Sequence, residues 1–401
     1  MNKKELIQKA RAYALKNAIH YNGKANVGAV ISSLFAEGLK KEDTKEVGKE
    51  ISKIVLEVNK ISLEKQKKEF EKFEKLISFR EVRDGLPKLP NAEKGVVMRF
   101  APSPSGAMHI GHALTASISY LYVKKYGGKF YMRIEDTNPD NIYPPAYDLL
   151  KQDAEWLFEG KTKIIIQSER MELYYKYAEK LIKKNSAYVC TCSSENFKKL
   201  VDQKKECACR KNTQKENLDL WKKMFVKKGF KQGEAVLRFK SNIKDKNPAM
   251  RDFPLARINE SSHPLQKNKY RVWPLMNLSV TVDDIELKMT HIIRAKEHRD
   301  NAERQKMIYK ILDKKYPWEA YLGRWKFKDM ELSATKITQG IKEGKYSGWD
   351  DEKLPTISAL RKKGYKPESF WKFSEHVGLS ESDKVLDEKE FFKLLDTFNR
   401  K

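Results

Sequence analysis

The chain has 401 residues, 40% of them hydrophobic, which is long enough for two to four domains with a sizeable core. Its 81 lysines and arginines exceed its 55 aspartates and glutamates, and the net charge of +26 favours a polyanionic partner, unless the source proteome is lysine-rich throughout. No apolar run approaches the roughly 20 residues of a membrane span and the N-terminus lacks a signal-peptide core, so membrane and secreted classes are excluded and a cytoplasmic location is expected.

The first 90 residues have the pattern of a helical domain. Apolar residues recur at helical spacing after Asn26, which predicts a helix with Asn26 as its N-cap. Gly23 is placed to end the helix before it. The Asp-Gly-Leu-Pro segment that begins at residue 84 breaks the pattern and predicts a linker.

A strand, a helix and a second strand follow the linker. The apolar run Gly95–Ala101 predicts a strand, and a turn rich in proline, serine and glycine covers 102–106. A helix is predicted over 108–126 and a strand over Lys129–Ile134. This βαβ order implies a parallel sheet with a right-handed crossover.

The rest of the chain changes in character three times. Residues 186–250 are rich in lysine and hold the four cysteines, 270–296 return to strand-like runs, and the tail over 366–401 is helical and charged. The sequence has no internal repeat and no low-complexity segment, which excludes repeat architectures.

The turn after the first strand contains the strongest chemical signal, R-F-A-P-S-P-S-G-A-M-H-I-G-H at 99–112. It brings backbone N–H groups and two imidazoles, His109 and His112, to a helix N-terminus, which attracts phosphate. The histidines are three residues apart, so they share one helix face, and Gly111 between them leaves room for a flat base. Histidines that only cap the helix are the alternative, which the P-x-P-x-G directly upstream disfavours.

This segment resembles the HIGH signature of class I aminoacyl-tRNA synthetases. Its flanks, and the R-I-E-D-T-N-P segment at 133–139, resemble the glutamyl and glutaminyl subgroup. The resemblance covers nearly the whole chain and is closest to archaeal-type glutamyl-tRNA synthetases. It includes the stretches at 153–157, 273–284, 290–298 and 348–364.

The resemblance implies an α/β fold in which a Rossmann-like catalytic core is split by an insertion that binds the acceptor end of tRNA. A helical extension precedes the core, and a helical region that contacts the tRNA stem follows it. The implied domains are the extension (1–92), the first half of the core (93–185), the insertion with the cysteines (186–262), the second half of the core (263–325), and a KMSKS-like loop with the helical stem-contact region (326–401).

The implied activity is ATP-dependent ligation of L-glutamate to tRNA through glutamyl-adenylate, with Mg²⁺ on the phosphates. Positioning and charge stabilisation supply the catalysis, and no side chain acts as nucleophile. The alternatives are a glutaminyl enzyme, a paralogue that modifies a tRNA base, and a catalytically silent tRNA-binding protein. Whether the partner is the tRNA for glutamate alone, or also the tRNA for glutamine, stays open.

The glutamate-binding residues that the resemblance implies are Arg99, Glu135, Arg294 and Met276. An arginine suits the side-chain carboxylate of glutamate, and an acidic residue suits its α-amino group. Arg294 carries a charge that glutaminyl enzymes lack at this position, which argues against glutamine. Met276 stands where the bacterial branch has a tyrosine, and a structural salt bridge is the alternative role for Glu135.

The resemblance also implies a nucleotide-binding site next to the HIGH-like segment at 99–112. Its residues are Ala101, Ser103, Gly106, His109, Gly111, His112 and Lys336. The KMSKS-like segment E-L-S-A-T-K departs from the pattern, because Lys336 lies two positions beyond the usual second lysine. The leaving pyrophosphate needs a cation, so Lys336 and Ser333 join His109 and His112 as candidate catalytic residues, and an ordinary exposed lysine is the alternative for Lys336.

The cysteines form two C-x-C pairs, Cys190 with Cys192 and Cys207 with Cys209. Four thiolates suit tetrahedral Zn²⁺, and a C-x-C pair in a cytosolic protein is more often a metal site than a disulfide. Family members carry a comparable zinc knuckle, which makes Zn²⁺ an expected structural cofactor. Four free cysteines are the alternative.

Family members continue into β-barrels that read the anticodon, and this sequence does not. Residues 366–401 are too few for a barrel of about five strands. A separate polypeptide that carries the barrels is therefore an expected partner, and a truncated chain is the alternative. The G-W-D-D segment at 348–351 is expected near the inner corner of the tRNA, or as a packing element.

Overall fold

The computed structural model describes residues 3–40, 42–77 and 85–400, and the chain divides into two compact units between residues 82 and 83. Residue 84, the first of the predicted linker, lies outside the described residues. The domain boundaries expected from the sequence stay predictions.

The N-terminal unit is helical, as its apolar periodicity indicates. Its helices are α1 (Lys3–His20), α2 (Val27–Ala36), α3 (Thr44–Val58) and α4 (Leu63–Phe73). The N-cap prediction is confirmed, because the Asn26 side chain accepts the Ala29 N–H at 3.2 Å. Gly23 follows α1 with a φ of +96°, a left-handed conformation that ends the helix.

The second unit alternates helices with strands. Its helices are α5 (Ile110–Tyr126), α6 (Ala146–Leu157), α7 (Met171–Lys183), α8 (Ser194–Asp202), α9 (Gln214–Phe225), α10 (Met276–Glu286), α11 (Arg299–Ile311), α12 (Ala334–Lys342), α13 (Ile357–Lys362), α14 (Pro367–Val377) and α15 (Glu388–Arg400). Its strands are β1 (Val96–Phe100), β2 (Gly128–Ile134), β3 (Thr162–Ile166), β4 (Ala187–Cys190), β5 (Val236–Phe239), β6 (Pro254–Ile258), β7 (Val272–Pro274), β8 (His291–Ala295), β9 (Trp318–Leu322), β10 (Trp325–Phe327) and β11 (Lys384–Leu386). No helix in the described part of the chain has the length and apolar character needed to cross a bilayer.

The central sheet is parallel, and the predicted βαβ unit is confirmed. β1 pairs with β2, β2 with β3, and β8 with β9. The backbone joins β8 to β1 through Thr290, whose N–H donates to Val97 O at 3.0 Å. A Cβ on Gly128 would lie 1.9 Å from Val96 O, so the close approach of β2 to β1 requires glycine there.

The three-stranded sheet β3-β2-β1 and the strand pair β8-β9 lie side by side, joined at Thr290, so the order along the chain reverses between β1 and β8. A doubly wound sheet binds ligands outside the carboxyl ends of its strands at such a switch point. The fold therefore places the candidate site where β1 and β8 end.

The cysteine-containing segment contributes a separate antiparallel sheet in the order β4-β5-β6-β7. Its core includes Trp221, Leu237 and Trp273, and packs against α7, α9 and α10. Strand β7 lies beyond residue 262, where the predicted insertion ends.

The prediction of strand-like runs over 270–296 is wrong in the middle of that stretch, which forms α10. Every residue from Asn277 to Asp284 is buried, so this part of the helix exposes no face to solvent. In a helix that is buried on all sides, apolar and polar residues do not alternate with a period of 3.6 residues. A short apolar run is then easily mistaken for a strand.

The C-terminal region packs on the central core, and the predicted helical tail is confirmed by α14 and α15. Trp371 Nε1 donates to Leu157 O at 3.1 Å, and Ser374 Oγ donates to Leu114 O at 3.0 Å. These bonds join α14 directly to α5 and to the end of α6.

Candidate active site

The turn between β1 and α5 holds the two predicted histidines. His109 is the N-cap of α5, and its Nδ1 accepts the His112 N–H at 3.3 Å. The two imidazoles are stacked, with ring centroids 3.7 Å apart. Burial lowers the pKa of His112 to about 4, and burial together with His112 holds the pKa of His109 well below its usual range. Both rings are therefore neutral at physiological pH, and each offers one N–H to a ligand.

Gly111 was expected to leave space for a flat base beside the backbone, but the imidazole of His109 lies next to it. A Cβ on Gly111 would lie 3.1 Å from the His109 imidazole. The glycine therefore lets the His109 ring lie close to the backbone of the first turn of α5.

Backbone and carboxylate bonds fix the turn from two sides. The Met108 N–H donates to Asp153 Oδ2 at 3.0 Å, from α6. Residues 355–357 run antiparallel to the turn, with the Ile110 N–H bonded to Pro355 O at 3.0 Å and the Ile357 N–H bonded to Met108 O at 2.8 Å. His109 is thus held by bonds on both neighbouring residues.

The G-W-D-D segment packs against the same turn. A Cβ on Gly106 would lie 2.2 Å from the Trp349 ring, so only glycine allows this ring to lie on the turn. The Trp349 carbonyl accepts the Thr356 hydroxyl at 2.5 Å, which links the segment to the antiparallel residues. The packing role that the sequence left open for this segment is therefore present.

A cavity of about 310 Å³ opens at the carboxyl ends of β1 and β8. Its lining includes Arg99, Glu135, Met276 and Arg294, together with His112 and Ala101. The structure therefore brings together all the residues that were expected to bind glutamate, beside two of those expected to bind ATP. Both arginines are buried, with exposed fractions of 8% for Arg99 and 7% for Arg294.

Arg99 and Glu135 are held by one buried charge network. Arg133 Nη2 lies 3.1 Å from Glu135 Oε1, and Arg133 Nη1 lies 2.5 Å from Asp284 Oδ1. Arg99 Nε lies 3.4 Å from the same Asp284 oxygen. Burial alone would raise the pKa of Asp284, but Arg133 and Arg99 outweigh it and hold that pKa below its usual range. The salt bridge considered for Glu135 exists, and it fixes the carboxylate at the cavity wall.

Arg294 differs from Arg99 and Arg133 of the same cavity region because its hydrogen-bond partners are uncharged side chains. It donates to Gln305 Oε1 at 3.0 Å and to the Tyr316 hydroxyl at 3.3 Å. Within the described residues, no carboxylate forms an ion pair with Arg294. A buried guanidinium that lines a cavity and has no carboxylate in direct contact is suited to an anionic ligand.

The KMSKS-like segment lies across a second cavity, of about 660 Å³. Ser103 of the histidine turn lines this cavity, as do Thr335 and Lys342 of α12. Ser333 is the N-cap of α12, with its Oγ accepting the Lys336 N–H at 3.4 Å. Lys336 itself is not in the described lining; its side chain is 73% exposed and its Nζ lies 3.0 Å from Glu331 Oε2.

Lys342 is a cation that the sequence reading missed. It lies seven residues after Thr335, and two residues between them, Thr338 and Gln339, also line the cavity. Positions i, i+3, i+4 and i+7 share a helix face, so this spacing is the signal that could have identified the residue.

The four cysteines are brought together at the end of β4. Their sulfur atoms lie within 4.8 Å of one another, with Cys190 and Cys207 at 3.9 Å and Cys192 and Cys209 at 3.8 Å. Four sulfurs around one Zn²⁺ at tetrahedral angles lie about 3.8 Å apart when each bond is ~2.3 Å. The Thr191 N–H also donates to Cys209 Sγ at 3.4 Å, which helps to fix the position of this sulfur. The residues present fit a zinc ion.

Asp153 gives the site a testable dependence on pH. It is 1% exposed, and burial raises its pKa to about 7. A group whose pKa is raised on folding stabilises the fold while protonated, so this stabilisation is lost as pH rises from about 4 through 7. In Asp153→Asn the free energy of unfolding, relative to wild type, should rise across this window by up to about 4 kcal/mol. Urea titrations at several pH values measure the difference.

Asp148→Asn is the matched control for that prediction, since Asp148 lies exposed on the same helix. Its unfolding free energy should differ from wild type by the same amount at every pH. A constant difference for Asp153→Asn as well would show that Asp153 keeps an ordinary pKa in the folded chain.

Comparison with known proteins identifies the class. A family model described as "tRNA synthetases class I (E and Q), catalytic domain" matches residues 95–400. A crystal structure of a glutamate tRNA ligase from Elizabethkingia meningosepticum has a TM-score of 0.53 at 21% identity, covering 76% of this chain and 69% of that one, and it confirms the predicted α/β fold. The chain belongs to the class I tRNA synthetases of the glutamate and glutamine group.

Curated relatives narrow this group to one amino acid. The glutamate–tRNA ligase of Methanobrevibacter smithii is 43% identical over 389 residues, which cover 96% of this chain and 70% of the relative. That of Methanocaldococcus jannaschii is 45% identical over 377 residues, with 94% and 68% covered. The resemblance to glutamyl enzymes of archaeal type is confirmed.

Proposed function

We propose that the chain joins L-glutamate to tRNA at the expense of ATP, through glutamyl-adenylate. The observation that carries the proposal is the cavity beside the histidine turn, with Arg294 buried in its wall and unpaired with any described carboxylate. Membership of the glutamate–tRNA ligase family supports it, and ATP and Mg²⁺ are the cofactors of that class.

Glutamate is proposed to bind with its two charged ends on opposite charges of the cavity. The Arg294 guanidinium would take the side-chain carboxylate, and Arg99 would add a second buried cation. Glu135, fixed by Arg133, would accept the α-ammonium group. Met276 offers only apolar contact at the position where the bacterial branch has a tyrosine.

ATP is proposed to lie along the histidine turn, from Ala101 to Gly111, with its phosphates toward α12. The neutral imidazoles of His109 and His112 would each donate one hydrogen bond to phosphate oxygen. In the reaction, the glutamate α-carboxylate attacks the α-phosphorus and pyrophosphate leaves. A ribose hydroxyl of the tRNA 3′ end then displaces AMP from the adenylate. These side chains position the reactants and stabilise charge, and none forms a covalent bond.

Zn²⁺ is proposed to be held by Cys190, Cys192, Cys207 and Cys209 as a structural ion. When bound, it would cross-link the end of β4 to the loop that follows α8. The tRNA for glutamate is the proposed partner. The tRNA for glutamine, the separate anticodon-binding polypeptide and the cytoplasmic location stay predictions.

ATP–pyrophosphate exchange in the presence of tRNA tests the proposal. Glutamate should support the exchange, and glutamine at the same concentration should not. Exchange with glutamine would favour a glutaminyl enzyme, and no exchange with any amino acid would favour a tRNA-binding protein without activity.

Lys336 is proposed to reach the leaving pyrophosphate when ATP binds, after releasing Glu331. The exposed ion pair between them is worth only about 0–1 kcal/mol, so it does not prevent this movement. Lys336→Ala is expected to lower kcat by on the order of a hundredfold while the affinity for tRNA is unchanged. Pre-steady-state adenylate formation and tRNA binding measure the two effects.

Lys353→Ala serves as the control, because Lys353 is an exposed lysine outside both cavities. If Lys336→Ala behaved like this control while Lys342→Ala lost kcat, the phosphate cation would be Lys342. Equal losses of kcat and tRNA affinity in Lys336→Ala would point to a structural or tRNA-binding role.

A further inference from the structure

Arg294 is supported by side chains that carry no charge. Gln305, from α11, is 1% exposed and accepts from Arg294 Nη1 at 3.0 Å. Tyr316, just before β9, accepts from Arg294 Nη2 at 3.3 Å. Buried guanidinium groups usually face carboxylates, because a buried charge without a countercharge is costly. The pairing found here leaves Arg294 in hydrogen-bond contact with no carboxylate among the described residues.

The Tyr316 hydroxyl is oriented to accept from Arg294 rather than to donate. Its own proton goes to Glu319 Oε2 at 3.1 Å. Glu319 in turn forms an ion pair with Lys306, at 2.5 Å. The nearest carboxylate in this chain of contacts is therefore already paired, and the hydroxyl separates it from Arg294.

One edge of the Arg294 guanidinium is left for a ligand. Its Nε is buried and has no hydrogen-bond partner among the described residues. A guanidinium binds a carboxylate through two adjacent N–H groups, and Gln305 and Tyr316 take one from each Nη. The Nε–H is therefore without a partner among the described residues, in a side chain that lines the cavity.

We infer that Gln305 and Tyr316 are positioning residues that set the specificity for the acid over the amide. They orient the Arg294 guanidinium and leave its charge for the side-chain carboxylate of the substrate. A neutral amide at the same place gains much less from that charge. This inference rests on the proposed function, in which Arg294 binds the glutamate side chain.

Gln305→Glu tests the role of neutrality, because it replaces an uncharged acceptor with a carboxylate at the same position. The new ion pair is expected to raise the KM for glutamate by about a hundredfold and to leave the inhibition constant of glutamine nearly unchanged. The KM for ATP should not move, and thermal stability should be kept, because the buried arginine gains a partner. Unchanged glutamate kinetics in a folded Gln305→Glu protein would overturn the inference.

Gln305→Leu and Tyr316→Phe test orientation without adding charge. Each removes one acceptor from Arg294 and is expected to raise the KM for glutamate about tenfold. Gln305→Asn keeps the amide but is shorter by one methylene, so it should raise the KM for glutamate about as much as Gln305→Leu does.

The double variant Arg294→Gln with Gln305→Leu separates the inference from the function on which it rests. If Gln305 acts through Arg294, adding Gln305→Leu to Arg294→Gln should leave the KM for glutamate unchanged. A further rise would show that Gln305 contacts glutamate directly and would overturn the positioning role. If Arg294→Gln alone had no effect on that KM, the glutamate assignment itself would fail.

Discussion

Arg294→Gln is expected to raise the KM for glutamate by on the order of a hundredfold and to leave the KM for ATP within about twofold of wild type. Loss of one partner from a buried charge pair costs about 2–5 kcal/mol, and the pair in question would be Arg294 with the substrate carboxylate. ATP is proposed to bind along the turn between β1 and α5 and not to Arg294, so the affinity of the protein for ATP should be retained. Amino-acid-dependent ATP–pyrophosphate exchange gives both constants.

Arg324→Gln is the matched control, since Arg324 is 59% exposed and its partner Glu297 is also near the surface. It should show wild-type constants for both substrates. Arg294→Lys keeps the charge but loses the planar pair of donors, so it is expected to fall between wild type and Arg294→Gln. Wild-type glutamate kinetics in Arg294→Gln would contradict the assignment of the cavity.

Cys192→Ser is expected to abolish metal binding and to unfold the loops around the cysteine cluster. Purified, reduced wild-type protein should contain about one zinc ion per chain, because the four sulfurs match a tetrahedral site. Zinc binding by such loops contributes folding free energy on the order of 10 kcal/mol. Elemental analysis measures the metal, and limited proteolysis within 190–211 measures the order of the loops.

Thr191→Ser is the control for the zinc prediction, because it changes the same loop and keeps the hydroxyl beside Cys209. It should bind zinc as wild type does. Unchelated wild-type protein without any metal would show that the cluster is a set of free thiols. A chelator that removes zinc without changing the proteolysis of these loops would show that the ion has no structural role.

The parts of the site that depend on local sequence could be predicted. The turn between β1 and α5 is defined by residues adjacent in the chain, so its histidines and its position at a helix N-terminus were visible in the sequence. The proposed glutamate set came from the family resemblance, and the structure brings its members to one cavity because β1 and β8, which carry Arg99 and Arg294, lie side by side.

The residues that support those groups could not be predicted from local sequence. Arg133 is fixed by Asp284, which lies 151 residues away, and Met108 is fixed by Asp153, which lies 45 residues away. Pairings at such separations leave no periodicity in the sequence. The ion pair of Lys336 with Glu331 is different, because the two residues are only five apart in the chain. In this ion pair Glu331 competes for Lys336 with the pyrophosphate that Lys336 is proposed to bind.

The bonds from α14 to the carbonyls of Leu114 and Leu157 have a consequence for how the molecule can change over evolutionary time. The domain boundary expected near residue 325 separates the turn between β1 and α5 from α14 in the sequence, but the two share one buried core. Denaturant should therefore release both in a single cooperative transition. Deletion of α14 would therefore be expected to destabilise the turn between β1 and α5 as well.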